Sequence, residues 1–310
     1  MIITLTPNPA VDKTIFVPSL ELGRVIRFPE SQLDPAGKGI NVSRMANRLG
    51  WPTIAFGFVA GEMGTLIRGA LDDEEVDHHL ISVPGQTRLN VTIIEEDGNR
   101  ETNLYGPGPR VEARHAERLE GLLGFWLKAG RVLVLAGSLP PGMRHDTYSR
   151  YVAMARENDV LTIVDADEEA LRHGLDSRPH MIKPNRAEAQ RLVGRQLPDE
   201  QAVVAAAREL AARGIELVVI SMGAAGTICV HGDDAWRVVP PRIEPRSTVG
   251  SGDSLVAGLA VALAAGQPIV EGLRVGTAAG AATAMTPGTA LGTLDLVNEL
   301  MEDVRVEPLS

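Results

Sequence analysis

The sequence predicts an α/β domain built on a mainly parallel sheet with helices on both faces. Its second half alternates helical patterns with runs that are apolar throughout, at residues 131–136, 160–165 and 216–221. Strands without a polar face must be covered on both sides, which is typical of parallel sheets. The 310 residues, of which 44% are hydrophobic, suffice for one large α/β domain or two smaller ones. Because no Pro/Gly-rich linker or internal repeat divides the chain, we expect one domain over residues 1–310.

The other elements follow from the same periodicities. Residues 2–6 form a strand-like run, followed by a helix at 39–49, a strand at 53–58 and a helix at 64–71. Further helices are predicted at 147–157, 168–175, 185–193 and 200–213, with short strands at 180–183 and 227–230. An apolar helical pattern runs from Leu255 to Ala265.

Two stretches of alternating apolar and polar residues predict a small antiparallel layer beside this sheet. The first covers residues 11–35, with alternation at 15–17 and 25–28. The second is a hairpin in which strands at 89–95 and 101–105 flank the turn Asp97-Gly98-Asn99. Such a layer, set over the edge of the sheet, would act as a lid.

Composition and motif content exclude several classes of function. Aromatic residues make up 4% and the net charge is −10, so no nucleic-acid partner is expected. No run reaches the roughly 18 apolar residues of a membrane helix, and the N-terminal run meets Pro7 too early for a signal peptide. Cys229 is the only cysteine, which indicates a reduced, cytoplasmic setting. The sequence also lacks P-loop, dinucleotide-binding and zinc-enzyme motifs.

The segment Thr248-Val249-Gly250-Ser251-Gly252-Asp253-Ser254 carries the clearest chemical signal. Its glycines allow consecutive backbone N–H groups to converge on one anion, and the following helix adds the positive end of its dipole. Asp253 lies in the first turn beside that anion site. A potential general base next to an anion site suits phosphoryl transfer to a hydroxyl. The alternative is that Asp253 or Ser254 merely caps the helix.

Several other polar segments lie at the ends of predicted strands, where open α/β sheets bind ligands. Those that follow this rule are Gly137-Ser138, Asp165, Lys183 and Ser221. A second glycine-rich segment, Gly37-Lys38-Gly39, opens a helix and offers a cation close to the backbone, with Asn41 nearby. The alternative for this segment is a tight turn with a solvated lysine.

Asn185 and Glu188 share a face of the helix that follows Lys183. Their amide and carboxylate would order Mg²⁺ and its waters around nucleotide phosphates, or would only cap the helix. The turn from Ser221 to Gly226 would border a nucleotide or form a tight hairpin. Arg88, near the start of the predicted hairpin, is a natural phosphate partner or a solvated surface group.

Taken together and in this order, the motifs resemble the PfkB family of ribokinase-like sugar kinases. The stretches that carry the resemblance are Asn8-Pro9-Ala10-Val11-Asp12, Ala36-Gly37-Lys38-Gly39-Ile40-Asn41-Val42, Gly137-Ser138-Leu139-Pro140-Pro141-Gly142, Lys183-Pro184-Asn185 with Glu188, and Ser247-Thr248-Val249-Gly250-Ser251-Gly252-Asp253-Ser254. The first and third look like the hexose-phosphate branch of 1-phosphofructokinase, the minor 6-phosphofructokinase and tagatose-6-phosphate kinase. The resemblance implies a single kinase domain with a three-layer α/β/α fold and a β lid formed by about 11–35 and 87–106.

The resemblance also implies an activity: transfer of the γ-phosphoryl group of ATP, with Mg²⁺, to a ketohexose monophosphate, giving fructose 1,6-bisphosphate. Asp253 would be the general base, and the N–H groups of Gly250, Ser251 and Gly252 would stabilise the transferring phosphoryl group. The residues implied to bind the phosphosugar are Asp12, Gly37, Lys38, Asn41, Arg88, Ser138 and Asp253. Those implied to bind ATP are Lys183, Asn185, Ser221, Gly223, Gly226, Thr248, Gly250 and Gly252, with Asn185 and Glu188 holding Mg²⁺ through water. A homodimer paired through the lid is implied as well.

The resemblance leaves the position of the existing phosphate, on fructose 1-phosphate or fructose 6-phosphate, open. Lys38 looks like the 1-phosphofructokinase and tagatose-6-phosphate kinase pattern, whereas Pro287-Gly288-Thr289 looks more like the minor 6-phosphofructokinase. Residues 22–26 lack the Val-Asn pair common in the first two groups and place a cation at Arg24. The alternatives are a tagatose-6-phosphate kinase, a nucleoside or ribose kinase of the same fold, and a non-catalytic sugar-phosphate sensor.

Overall fold

The computed structural model describes residues 1–95, 100–166 and 168–309. Its first part contains β1 (Ile2–Thr6), β2 (Ala10–Val17), β3 (Glu30–Ala36), α1 (Lys38–Arg48), β4 (Thr53–Val59), α2 (Gly61–Asp73), β5 (Asp77–Ser82), β6 (Arg88–Glu95), β7 (Arg100–Leu104) and α3 (Ala113–Leu127). Its second part contains β8 (Val132–Gly137), α4 (Thr147–Arg156), β9 (Leu161–Ala166), α5 (Glu168–Asp176), β10 (Met181–Ile182), α6 (Arg186–Val193), α7 (Glu200–Ala211), β11 (Leu217–Ser221), β12 (Thr227–His231), β13 (Asp234–Val239), α8 (Ser251–Ala265), α9 (Ile269–Ala284), α10 (Leu294–Met301) and β14 (Arg305–Leu309). In these ranges no helix combines the length and apolarity needed to cross a membrane.

The main sheet of the described residues has ten strands in the order β14-β13-β12-β11-β10-β9-β8-β1-β4-β5. The strands from β11 to β5 run parallel to one another. At the other edge β12, β13 and β14 are added antiparallel. The predicted, mainly parallel sheet is therefore confirmed. Its carboxyl-terminal edge gathers the chain segments that follow β1, β8, β9, β10 and β11.

Helices cover both faces of this sheet, because successive side chains of each buried strand point to opposite sides. In β8, Leu133 and Leu135 belong to a core shared with helices α3 to α7. Val132 and Val134 of the same strand belong to a second core, shared with α1, α8, α9 and α10. The three-layer α/β/α arrangement implied by the resemblance is thus confirmed.

A separate four-stranded sheet in the described residues has the order β3-β2-β6-β7. β2 pairs antiparallel with β3, and β6 with β7, but β2 and β6 are parallel. The prediction of an antiparallel layer is therefore wrong at its centre, because β6 follows β5, the edge strand of the main sheet, and is not joined to β2 by a hairpin. The predicted turn at 97–99 lies outside the described residues. We call this four-stranded sheet the lid sheet.

The strand predicted at residues 25–28 is also wrong, since these residues form no strand and the strand begins at Glu30. Val25 is 92% exposed and Phe28 is 44% exposed, so their alternation has no buried face to match. β3 carries polar side chains such as Gln32 and Asp34 at the positions that pair with β2. Because these side chains are polar, β3 lacks the alternation of apolar and polar residues that predicts a strand.

Helices α8 and α9 are in close contact because glycines face each other between them. A Cβ atom on Gly258 would lie 2.4 Å from the backbone of Gly276, and one on Gly276 would lie 2.5 Å from the carbonyl oxygen of Leu255. Neither position therefore has room for a side chain. The contact fixes α8, whose first turn carries Asp253, against the buried helix behind it.

We expect Gly258→Ala to destabilise the protein by about 1–3 kcal/mol, because the added methyl group forces two packed backbones apart. Urea unfolding followed by circular dichroism measures this difference. The control is Gly69→Ala in α2, an exposed helical position where a Cβ would meet no atom within 4 Å. That change should stabilise the helix by roughly 0.5–1 kcal/mol. Equal effects of the two substitutions would show that the α8–α9 contact is not close-packed.

Candidate active site

Helix α8 begins at Ser251, with Gly250 as its N-cap in the left-handed conformation, φ 79°. A side chain at Gly250 would lie 3.4 Å from Leu291 and 3.5 Å from Thr283. These are ordinary van der Waals distances, so the turn favours glycine for its left-handed conformation and not for lack of space. No side chain caps this helix, so the capping alternative for Asp253 and Ser254 is wrong. The amino end of α8 is therefore open to an anion, with Ser251 N making only a long bond of 3.4 Å to Thr248 O.

Asp253 is buried at 9% exposure in this first turn, and its Oδ2 accepts a hydrogen bond of 2.8 Å from Asn41 Nδ2 on α1. Burial raises the pKa of Asp253 to about 7, and the charge of Asp165 adds to the rise. The hydrogen bond from Asn41 and the charges of Lys38 and Lys183 act in the opposite direction. A carboxyl group with a pKa near 7 is suited to take a proton at neutral pH.

Asp165, at the end of β9, connects two lysines that approach from different elements. Lys38 Nζ donates to its Oδ1 at 3.1 Å, and Lys183 Nζ lies 3.4 Å from its Oδ2. Burial alone would raise the pKa of Asp165, but the charges and hydrogen bonds of Lys183 and Lys38 outweigh it and lower the pKa. The sequence named Asp165 among the strand-end residues expected near a ligand but gave it no role. The signal was a carboxylate at the end of a buried parallel strand.

Asp12 lies in β2 opposite Asn90 of β6, and Asn90 Nδ2 donates to Asp12 Oδ1 at 2.8 Å. Burial raises the pKa of Asp12, although the bond from Asn90 and the charge of Arg88 oppose the rise. Arg88 is the first residue of β6, two positions before Asn90, and pairs with Ala10 in the lid sheet. Asn90 was not among the predicted site residues.

The predicted glycine-rich loop before α1 also has a steric basis. Gly37 is the N-cap of α1 with φ 130°, and a Cβ there would lie 2.9 Å from the Thr6 side chain. A Cβ on Gly39 would lie 2.5 Å from Thr6 Oγ1. This packing against the end of β1 places Lys38 beside Asp165 and Asn41 beside Asp253. We call the space around these four residues, Asp12 and Asn90 the cleft. Ser138, at the end of β8, accepts a hydrogen bond of 3.2 Å from the amide nitrogen of Asn8.

The segments after β10 and β11 are joined by a parallel bridge between Asn185 and Ser221. Lys183 precedes that bridge and is buried at 6% exposure. Beyond Ser221, Gly223 has φ 59° and Gly226 has φ 95°, and a Cβ on Gly226 would lie 2.1 Å from Val238 O. The turn is a hairpin between β11 and β12. Thr248 lies before α8, where its carbonyl accepts a 3.4 Å bond from Ser251 N.

Asn185 and Glu188 form a reciprocal cap on α6. Glu188 N donates to Asn185 Oδ1 at 2.9 Å, and Asn185 N donates to Glu188 Oε2 at 2.7 Å. Over the parts of the chain that the structure describes, no group of three or more metal-ligating side chains lies together. The capping carboxylate and amide keep further lone pairs. An ion here would therefore be held through water and substrate oxygens, as Mg²⁺ commonly is.

A buried carboxylate beside the amino end of a helix, with two lysines at the carboxyl edge of an α/β sheet, is an arrangement suited to phosphoryl transfer to a hydroxyl group. The chain belongs to the pfkB family of carbohydrate kinases, whose model matches residues 6–295. Both the resemblance found in the motifs and the expected kinase class are confirmed. The family implies ATP as co-substrate.

Named kinases are similar to this chain over nearly its whole length. The 1-phosphofructokinase of Vibrio cholerae is 34% identical, over 99% of this chain and 97% of the relative. The tagatose-6-phosphate kinase of Staphylococcus epidermidis is 31% identical, over 99% of both chains. The crystal structure of phosphofructokinase-2 from Escherichia coli in complex with substrates and products matches with a TM-score of 0.91 and 30% identity, over 97% of this chain and 98% of that one.

Proposed function

We propose that this kinase phosphorylates a ketohexose monophosphate with ATP and converts fructose 1-phosphate or fructose 6-phosphate to fructose 1,6-bisphosphate. The observation that carries the proposal is the buried carboxylate of Asp253, held by Asn41 in the first turn of α8 beside Gly250-Ser251-Gly252. Similarity to a 1-phosphofructokinase supports this substrate class. Similarity to a tagatose-6-phosphate kinase favours tagatose 6-phosphate as the second candidate.

In this mechanism Asp253 takes the proton of the acceptor hydroxyl as the hydroxyl oxygen bonds to the γ-phosphorus of ATP. The bond from that phosphorus to the oxygen that bridges it to the β-phosphate breaks, and ADP leaves. The proton remains on Asp253 until it is lost to solvent. The raised pKa of Asp253, about 7, makes it a stronger base than an ordinary carboxylate.

The backbone N–H groups of Gly250, Ser251 and Gly252 stabilise negative charge on the transferring phosphoryl group. Lys183, buried at the nucleotide side, pairs with ATP phosphates, and Ser221, Gly223, Gly226 and Thr248 border the nucleotide. Asn185 and Glu188 hold Mg²⁺ through water. When bound, that ion neutralises phosphate charge.

The phosphosugar lies between the lid sheet and α1. Asp12 accepts bonds from its hydroxyl groups beside Gly37 and Asn41, while Lys38, Arg88 and Ser138 face its existing phosphate. Lys38 and Arg88 supply the two cations of this side, and Lys38 is only 30% exposed in its side chain. Cations in a partly buried cleft bind phosphate more strongly than the same groups in open solvent.

Asp253→Asn should lower the rate of ADP formation by about a hundredfold or more, because the positioned base is lost while the shape is kept. For the unmodified protein, kcat should rise with pH through about 7 and level off above it, since the deprotonated carboxylate is the active form. A coupled ADP assay from pH 5.5 to 9 measures both effects. Near-normal turnover of the variant would contradict the role of Asp253, provided that both proteins have the same circular dichroism spectrum.

A second arm of that experiment uses Asp165→Asn. The negative charge of Asp165 raises the pKa of Asp253, so its removal should move the midpoint of the pH profile to lower pH. Glu216→Gln is the control, because Glu216 precedes β11 at the opposite end of the sheet and contacts His180 and His231. Its midpoint should not move.

Fructose 1-phosphate, fructose 6-phosphate and tagatose 6-phosphate should be compared in the same assay, with adenosine and free ribose as additional acceptors. We expect at least one ketohexose phosphate to give a kcat/KM more than tenfold above those of adenosine and ribose, because the positive charges of Lys38 and Arg88 favour an acceptor that carries a phosphate. Turnover of adenosine or ribose alone would establish a nucleoside or ribose kinase. Calorimetric binding of a phosphosugar without ADP formation would establish a sensor.

We also propose that two copies of the chain pair through the lid sheet. Strand register places Leu33, Lys13, Val91 and Leu104 in one row across the sheet, on the face opposite the row that contains Asp12 and Asn90. Leu33 is 47% exposed and Leu104 is 55% exposed. A row with three apolar side chains and one lysine on this face is suited to a second copy.

Sedimentation velocity at micromolar concentration should accordingly give a dimer. Leu104→Asp should shift the protein toward monomer, because a carboxylate would be buried unpaired in the interface. Phe125→Asp is the matched control, since Phe125 is 67% exposed on α3 and lies outside the lid sheet. A monomeric unmodified protein would contradict this assembly.

A further inference from the structure

Asn90 is the residue of the cleft that neither the motifs nor the proposed roles account for. It lies in the middle of β6, directly opposite Asp12 in the parallel pairing with β2. Its Nδ2 donates a 2.8 Å hydrogen bond to Asp12 Oδ1. An ionised carboxylate only accepts hydrogen bonds, so the contact fixes which side of the Asn90 amide is the nitrogen.

The oxygen atom of the Asn90 amide accepts no hydrogen bond from the described residues. Asn90 is 9% exposed, and in the described part of the chain its buried Oδ1 has no hydrogen-bond partner. A buried carbonyl oxygen without a hydrogen-bond donor lowers stability, which indicates that a bound molecule donates a hydrogen bond to it. The residue is therefore more than a support for Asp12.

Asn41 shows the same arrangement on the other side of the cleft. Its Nδ2 donates to the Asp253 carboxylate, while its own buried Oδ1 lacks a partner among the described residues. Each amide thus holds one carboxylate of the cleft and leaves one oxygen as an acceptor. Hydroxyl groups, which can donate to both a carboxylate and an amide oxygen, are the chemistry that completes both pairs.

Resting on the function proposed above, we infer that Asn90 is a positioning residue for phosphosugar binding. It holds the Asp12 carboxylate in place through Nδ2 and accepts a hydrogen bond from a sugar hydroxyl at Oδ1. The groups that face Asp12 besides Asn90 are Arg88, which is cationic, and Asp34, which is anionic and paired with Asp12 across β3. Asn90 gives Asp12 a neutral donor whose charge does not change with pH.

Asn90→Ala should raise the KM for the phosphosugar by about tenfold to a hundredfold, because two hydrogen bonds in a buried site are lost. The KM for ATP should stay within about twofold, since the substitution is confined to the sugar side. Asn103→Ala is the control: Asn103 lies in β7 of the same sheet, is exposed, and bonds to Thr92 and Glu101. Its KM for both substrates should not change.

Asn90→Asp supplies an independent measurement without ATP. The new carboxyl group would face Asp12 at hydrogen-bond distance, and two such carboxylates cannot both stay ionised. Titration calorimetry with fructose 1-phosphate, fructose 6-phosphate and tagatose 6-phosphate should show weak binding at pH 8. Binding should recover toward pH 5.5, where the shared proton restores a donor to Asp12. The unmodified protein should not gain affinity over this range.

Unchanged phosphosugar KM in Asn90→Ala, or an equal rise in both KM values, would overturn the role of Asn90 while the kinase stays established. If Asn90→Ala does not fold, the isosteric Asn90→Asp decides, and pH-independent binding by that variant overturns the proposal. Absence of binding and turnover by the unmodified protein with all three phosphosugars would overturn the proposed function itself, and the role of Asn90 with it.

Discussion

The cleft depends on one buried carboxylate, Asp165, which balances the charges of two lysines from opposite sides. Lys38 comes from α1 and Lys183 from the segment after β10, and both contact Asp165. Removing one partner from a buried ion pair typically costs about 3–5 kcal/mol, because the other charge is left uncompensated. Without Asp165, two cations and the amino end of α8 would converge on one space. The same charge also raises the pKa of Asp253, so a single side chain holds both lysines and tunes a second carboxyl group.

A chain of hydrogen bonds holds α8 at this position relative to α1 and the lid sheet. Behind Asp253, Ser254 shares a 2.8 Å bond with Thr283, whose Oγ1 also accepts from Gly292 N. Arg48 of α1 donates to Leu291 O and Gly292 O, and pairs with Glu74. Arg44, one turn earlier, joins Glu74 to the carbonyl of Pro35 in β3. Because these partners are mostly buried, the helix that supplies Asn41 and the helix that supplies Asp253 form one rigid frame.

Features of the fold and site could be predicted where they depend on neighbouring residues, and not where they depend on residues far apart in the sequence. The buried parallel strands and the Gly-Ser-Gly-Asp turn are visible in runs of consecutive residues, since strand hydrophobicity and glycine conformation are local properties. The strand expected at 25–28 was wrong because pairing, not alternation, decides which segment joins β2. Asp165 and Asn90 look like any strand-end carboxylate or strand amide. Their partners, Lys38, Lys183 and Asp12, are far away in sequence, so only the folded chain brings them together.

The main-sheet side of the cleft is defined by the sequence more clearly than the lid-sheet side. The proposed reaction type is therefore clearer than the identity of the acceptor substrate. Asp253, Asn41 and the two lysines belong to helices and strand ends packed on the main sheet. Asp12 and Asn90 belong instead to the lid sheet, which has fewer buried residues. Thr289 Oγ1 donates to Asp34 Oδ2 of β3 at 2.9 Å and so connects the lid sheet to the loop before α10. Thr289 belongs to the loop whose Leu291 packs against Gly250. The lid sheet and the first turn of α8 therefore share one structural support, the loop that contains Thr289 and Leu291.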